Sequence, residues 1–157
     1  GPDIQWLKHE YLGYNYRITE MAAALGRSQL KKLDQLLKLR QQAARCYEKR
    51  LSTIPGVNLL KKDDKNHQRS WFVYVIRLDK KYNRDKVIRQ LGAAGIPSKA
   101  YLPSIHLQPY MKSYGFKSGD FPLAEAISAS TLALPFYSAI KEETVDLVCK
   151  TLNKILK

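Results

Sequence analysis

Two stretches of this sequence gather side chains able to do chemistry. Gly13-Tyr14-Asn15-Tyr16-Arg17 puts an amide, two phenols and a guanidinium just before a helix start, where backbone N–H groups also favour anions. That set suits a phosphate or a carboxylate, and a capping-and-staple cluster at the helix entry accounts for it equally well. The second stretch, Tyr101-Leu102-Pro103-Ser104-Ile105-His106-Leu107-Gln108-Pro109, sets a Tyr, a His and a Gln in a proline-braced loop. Ordered loops carry sites, although a lone loop histidine is often a bystander. His9, His67 and His106 are scattered, without metal-ligand spacing and with no Cys nearby in sequence, so no metal site is expected. No Gly-rich phosphate loop, nucleophile elbow or H-E-x-x-H motif is present.

The elements that must position these residues follow from the apolar pattern. From Ile18 an apolar stripe recurs at helical spacing through Ala22, Leu25, Leu33, Leu36, Ala43, Tyr47 and Leu51. Thr19 with Glu20 is a helix start signal, and Pro55-Gly56 is a stop. One very long helix is expected, or two in line with a break near Gly26. Val57 to Leu60 reads as a short strand, the charged stretch from Lys61 to Arg69 as a mobile loop, and Trp71 to Leu78 as the surest strand. Arg84 to Ala94 reads as a helix with Gly95 as its C-cap. Ile96 to Tyr101 is extended, and Pro103 to Gly119 is a long ordered loop. Pro122 to Thr131 is helical, Leu132 to Pro135 extended, and Lys141 to Leu156 a final helix with Val145, Val148, Leu152 and Ile155 inward. The fold class is α/β (α+β): a long leading helix followed by a small α/β sandwich.

The 157 residues hold 27 Lys+Arg against 14 Asp+Glu, a net charge of +13, which should attract nucleic acid, an anionic membrane face or a phosphorylated small molecule. The longest apolar run, Trp71 to Ile76, is too short to cross a bilayer. Two cysteines, both in helical stretches, make no disulfide framework; a reducing, cytoplasmic setting is expected. Gly1-Pro2 resembles the remnant of a cleaved tag, and the chain reads as a piece of something larger. The stretch Ala24-Leu25-Gly26-Arg27-Ser28 opening a basic helix also suggests a helix-turn-helix nucleic-acid module. Against that alternative, the apolar stripe passes Gly26 without a change of phase, and the helix outruns a recognition helix.

The run from Trp6 through Gly13-Tyr14-Asn15-Tyr16-Arg17 to Leu30 resembles the signature of the DegT/DnrJ/EryC1/StrS aminotransferases. So do Ser70-Trp71-Phe72-Val73-Tyr74, the Tyr101 to Tyr110 loop, Gly119-Asp120-Phe121-Pro122-Leu123-Ala124-Glu125 and Leu132 to Tyr137. The resemblance covers essentially the whole chain from Trp6.

It implies the C-terminal part of a fold-type-I, pyridoxal-phosphate-dependent enzyme that aminates keto-sugars on nucleotides, with glutamate or glutamine as amino donor. Such enzymes are homodimers with active sites at the subunit interface. The division implied is 1–2 tag remnant, 3–56 cofactor and dimer-interface segment with the long interdomain helix, and 57–157 small α/β domain. By resemblance, Asn15 reaches the cofactor phosphate of the partner subunit and Arg17 braces the same loop. His106, with Tyr101 beside it, approaches the sugar substrate, and Tyr16 is a further substrate contact. The Schiff-base lysine and the Asp on the pyridinium nitrogen belong to the large domain, and no lysine here is placed in the family's Ser-x-x-Lys setting. On this reading the chain holds no catalytic residue, is silent alone, and has neither a specific nucleic acid nor a membrane as partner.

Overall fold

The computed structural model describes residues 11, 13–14, 16–61 and 63–157, so Asn15 lies outside the described residues. The chain divides into two units, Gly1–Leu33 and Asp34–Lys157.

In the first unit, α1 (Glu20–Leu30) starts as its sequence dictates. The Thr19 hydroxyl accepts the N–H of Ala22 at 3.3 Å, and Glu20 sits in the first turn, where a negative charge suits the helix dipole. The helix runs through Gly26 and ends at Lys31-Lys32, whose N–H groups donate to Arg27 and Gln29 carbonyls. The break expected near Gly26 therefore falls at the two lysines. A mid-helix glycine costs only about 1 kcal/mol against alanine, and the Ala, Leu, Arg and Gln around it are strong helix formers. A helix-turn-helix would need its turn at Gly26, and the helix has none there. None of the residues of α1 is buried.

The second unit is built on a four-stranded sheet in the order β1-β2-β4-β3, every neighbouring pair antiparallel. Its strands are β1 (Val57–Asn58), β2 (Tyr74–Leu78), β3 (Lys99–Ala100) and β4 (Thr131–Leu134). The helices are α2 (Leu33–Leu51), α3 (Arg84–Ala93), α4 (Pro122–Ser130) and α5 (Glu142–Leu156). Mixed helix and small antiparallel sheet is the α/β class expected from the sequence. Register explains which residues enter the core. Tyr74 faces Leu134 and Ile76 faces Leu132 across β2 and β4, and opposed residues share a face. That face packs on Ala44, Tyr47 and Leu51 of α2, Val87 and Leu91 of α3, and Val145, Val148 and Leu152 of α5. In the last turn of α5 Ile155 packs against this core half-buried, and Leu156 joins it fully buried.

Aromatic rings line the α2 side of this core. Tyr47 stacks on Tyr74 with centroids 4.7 Å apart, and Tyr74 on Trp71 at 5.5 Å. The Tyr47 hydroxyl donates to the Pro135 carbonyl at 2.7 Å, so the buried phenol keeps a partner. Arg50 clamps α2 to α5 through Glu142 at 2.6 Å and through Asp146.

Two further expectations change. The strand foreseen from Trp71 begins at Tyr74, because Trp71 has φ +52°. Its carbonyl accepts from the Arg40 guanidinium at 3.0 Å, a tie that holds a conformation costing L-residues about 1–2 kcal/mol. The stretch read as a mobile loop closes a hydrogen-bonded turn instead. Asp64 and His67 exchange both backbone bonds, and Asp63 holds Arg69 through its N–H and its guanidinium. Opposite charges placed six residues apart, Asp63 and Arg69, bind each other here.

Candidate functional site

The residues singled out from the sequence fall in both units. In the first, Tyr14 and Tyr16 lie exposed with ring centroids 5.4 Å apart, and Arg17 is exposed immediately before the Thr19 cap. This part of the chain offers a guanidinium, two phenols and a helix start, a donor set suited to an anion.

In the second unit, Pro103 to Gly119 is ordered, as expected, and it carries two short 3₁₀ helices, Ile105–Leu107 and Pro109–Tyr114. Pro109 opens the second of them, its fixed φ suiting a first helical position. His106 in the first turn is buried, 8% exposed. Its Nε2 lies 3.0 Å from Oε1 of Glu125 on α4, and its ring meets the edge of Phe121 at 4.8 Å. The same Glu125 oxygen accepts the N–H of Gly119 at 2.8 Å and that of Phe121 at 3.4 Å. The other oxygen accepts the Ser118 hydroxyl at 3.0 Å. The His106 ring, the Gly119 N–H and the other loop donors hold the Glu125 carboxyl below the usual carboxylate range, against a smaller opposing push from desolvation.

Tyr101 is not in the His106 knot by any hydrogen bond, and its backbone ties to Thr131 of β4. Its side chain lines a mostly apolar groove of about 560 Å³ with Trp71, Phe72, Val75, Ile127 and Thr131. A second, wider cleft of about 880 Å³ lies between the β2–α3 turn and α4, with Arg77, Lys80, Lys81 and Arg84 on its walls. Part of that charge is committed. Arg84 donates to the Ser128 and Thr131 carbonyls at 3.0 Å each, finishing α4, and Lys81 lies over the Tyr82 ring.

Glu125 is the residue that sequence reasoning quoted without assigning a role. Its signal was an acid in the first turn of a helix opened by proline, where a carboxylate reaches back to free N–H groups. The bare Ser-x-x-Lys spacing, for its part, occurs twice, at Ser28–Lys31 and Ser138–Lys141. Lys31 is the C-cap of α1 and Lys141 the N-cap of α5, and both are exposed. Among the described residues no group of three or more His, Cys, Asp or Glu could hold a metal ion, and no described helix is long and apolar enough to cross a membrane.

A model of the DegT/DnrJ/EryC1/StrS aminotransferase family matches residues 2–153. The spore coat polysaccharide biosynthesis protein SpsC of Bacillus subtilis is 33% identical over 151 residues, which is 92% of this chain and 38% of SpsC. GDP-perosamine synthase of Caulobacter vibrioides is 30% identical over 153 residues, 92% of this chain and 39% of that one. Among solved structures, DesV of S. venezuelae, in complex with a ketimine intermediate, superposes with a TM-score of 0.84 at 26% identity, covering 96% of this chain and 40% of DesV. The chain thus spans about two-fifths of the length of the relatives it matches.

Proposed function

Because the chain belongs to the DegT/DnrJ/EryC1/StrS aminotransferase family, whose enzymes depend on pyridoxal phosphate, we propose that it is the C-terminal part of an aminotransferase acting on a nucleotide-linked keto-sugar. The observation that carries this reading is the match across residues 2–153, joined to relatives named for perosamine and spore coat polysaccharide synthesis. Glutamate or glutamine is the amino donor, and the working unit is a homodimer. Pyridoxal phosphate, when bound, supplies the carbonyl that takes up the amino group and the ring that draws electrons from the reacting carbon.

This chain's own residues bind and orient. The Arg17 guanidinium, beside the capped start of α1, is chemically fitted to a phosphate, and Asn15 adds an amide. Tyr16, Tyr101 and His106 serve the sugar. His106 Nε2 is engaged by Glu125, so the ring nitrogen left for a substrate hydroxyl is Nδ1. The exposed Ile18, Met21, Leu25 and Leu30 support the dimer reading, since apolar side chains gathered along one stretch favour burial against another surface.

The test is amino transfer from glutamate to a panel of nucleoside-diphosphate keto-sugars by the full-length protein. Turnover with one of them is expected, and none with any would overturn the reading. The isolated chain should give neither turnover nor a visible cofactor band. In the full-length protein, Asn15→Ala should weaken cofactor retention by about 1–3 kcal/mol, the range for a hydrogen bond to a charged group. Turnover at saturating cofactor should be largely spared.

A further inference from the structure

Four donors converge on one carboxylate in the second unit: the His106 ring, the Gly119 and Phe121 N–H groups and the Ser118 hydroxyl, all onto Glu125. An ionised carboxylate is acceptor-only, which suits it to all four of these donors at once. The low affinity of this carboxyl for its proton agrees. Since Glu125 accepts, His106 Nε2 must carry a hydrogen. In the neutral ring, Nδ1 is then the bare acceptor.

We infer that Glu125 is a positioning residue, which fixes the His106 ring as the Nε2–H tautomer and so leaves Nδ1 as the acceptor the ring can offer a ligand. The same helix pins that loop at a second point, where the Ser128 hydroxyl of α4 donates to the Leu102 carbonyl at 2.7 Å. Phe121, one residue before α4, holds the ring by its edge. Helix and loop are therefore tied at two points, and the imidazole is held both at Nε2 and against the Phe121 ring. A tautomer fixed by a carboxylate on the far nitrogen is a general way of aiming a histidine. In the same turn the Ser104 hydroxyl is buried without a partner among the described residues, a polar atom that a bound hydroxyl compound could satisfy.

The inference rests on the reading of His106 as a substrate contact, and the experiment separates the two. Full-length protein, isotope-labelled at histidine nitrogen, is compared with Glu125→Ala and Glu125→Gln, the His106 signal being identified by its loss in His106→Asn. In its neutral form the wild-type ring should carry its hydrogen on Nε2 and leave Nδ1 bare. Glu125→Ala should give a tautomer mixture and raise KM for the keto-sugar about tenfold, with kcat within about threefold, the split expected when binding geometry rather than chemistry is lost. Glu125→Gln keeps a carbonyl acceptor for Nε2 and should restore most of both readouts, while guarding against a folding defect in the alanine variant. An active Glu125→Ala enzyme with the wild-type tautomer would overturn the inference. A lost tautomer with unchanged KM would overturn the substrate role of His106. A wild-type enzyme that aminates no nucleotide sugar would overturn the proposed function itself, whatever the tautomer.

Discussion

On one side of the sheet, α2, α3 and α5 close over Tyr74, Ile76 and Leu78, and the groups that hold them are apolar, aromatic and dry. On the other side, Val75 looks into a groove shared with Tyr101 and Ile127, and Phe72 beside it is 76% exposed. There the polypeptide from Tyr101 to Ser130 is held by hydrogen bonds and one ionised carboxylate. The difference teaches where rigidity comes from. The covered side gains it from burial, which needs no particular atom to be charged. The groove side gains it from a few directed bonds, each of which can be lost singly. On the proposed function this side meets a ligand, and a surface left open for one is positioned by polar ties rather than sealed by side chains.

Volume removal should separate the two sides most sharply. Tyr47→Ala empties a fully buried position and removes the bond to Pro135; a loss of about 3–5 kcal/mol is expected. Phe72→Ala, on the groove side, should change stability by less than about 0.5 kcal/mol, as for most exposed positions. Chemical denaturation of both variants checks this, and a costly Phe72→Ala would show that the groove is sealed in solution.

A backbone change at the edge of the covered side comes next. Gly56 has φ +83°, and a Cβ there would lie 2.3 Å from a ring carbon of Tyr82, whose hydroxyl is held by the Leu156 carbonyl at 2.9 Å. Gly56→Ala should cost about 1–3 kcal/mol, combining the left-handed penalty with local overpacking. A melt within experimental error of wild type would mean that the β1–α3 edge yields easily.

How much of this was legible in sequence depends on range. Thr19 announces its helix because a cap acts within three residues. The period of α5 marks Val145, Val148 and Leu152 for the same reason. The late start of β2 was not legible, since what holds Trp71 is Arg40, far back along the chain on α2. The end of α1 at Lys31-Lys32 was hidden because both residues are good helix formers and the apolar phase does not change there. At the site, His106 and Glu125 were both quoted, each in its own block, and their pairing was not visible, because nothing local links a loop histidine to a helix acid nineteen residues on.

The two sides should also fail at opposite ends of the pH scale. Glu125 has a lowered folded pKa, so its contribution is present above the unfolded carboxylate range and is lost as pH falls through the folded value. Protection of the Gly119 amide, measured against the intrinsic rate at each pH, should therefore fall in acid while the covered core stays protected. On the covered side, burial raises Tyr47 and Tyr74 well above the phenol range and lifts Cys149 from 9.0 to about 12. These groups stay protonated in the folded chain after the unfolded chain has begun to release its protons. Stability should then fall from about pH 9 upward through Cys149 and from about pH 10 through the two tyrosines, by about 1.4 kcal/mol per pH unit for each such group. Denaturation midpoints at rising pH test it, and a flat profile would mean that water reaches these hydroxyls.

The smallest effect concerns the two cysteines, which sample the same packing from different depths. Cys46 on α2 is half-buried and Cys149 on α5 is buried. The thiolate is the reactive species, and burial, the largest cause, holds Cys149 as the thiol up to about pH 12, with the nearby Arg50 pulling weakly the other way. A disulfide-exchange reagent at pH 8 should modify Cys46 first. Cys149 should follow only at the rate at which the core opens, so its modification should quicken with denaturant in step with unfolding. Tyr47→Ala should bring the Cys149 rate up, because the cavity lies in the core that Tyr47 shares with Cys149. Phe72→Ala should leave it unchanged. Equal rates for the two thiols in the native protein would show that the helix-covered side is as open as the groove, and the contrast between the two sides would fall with it.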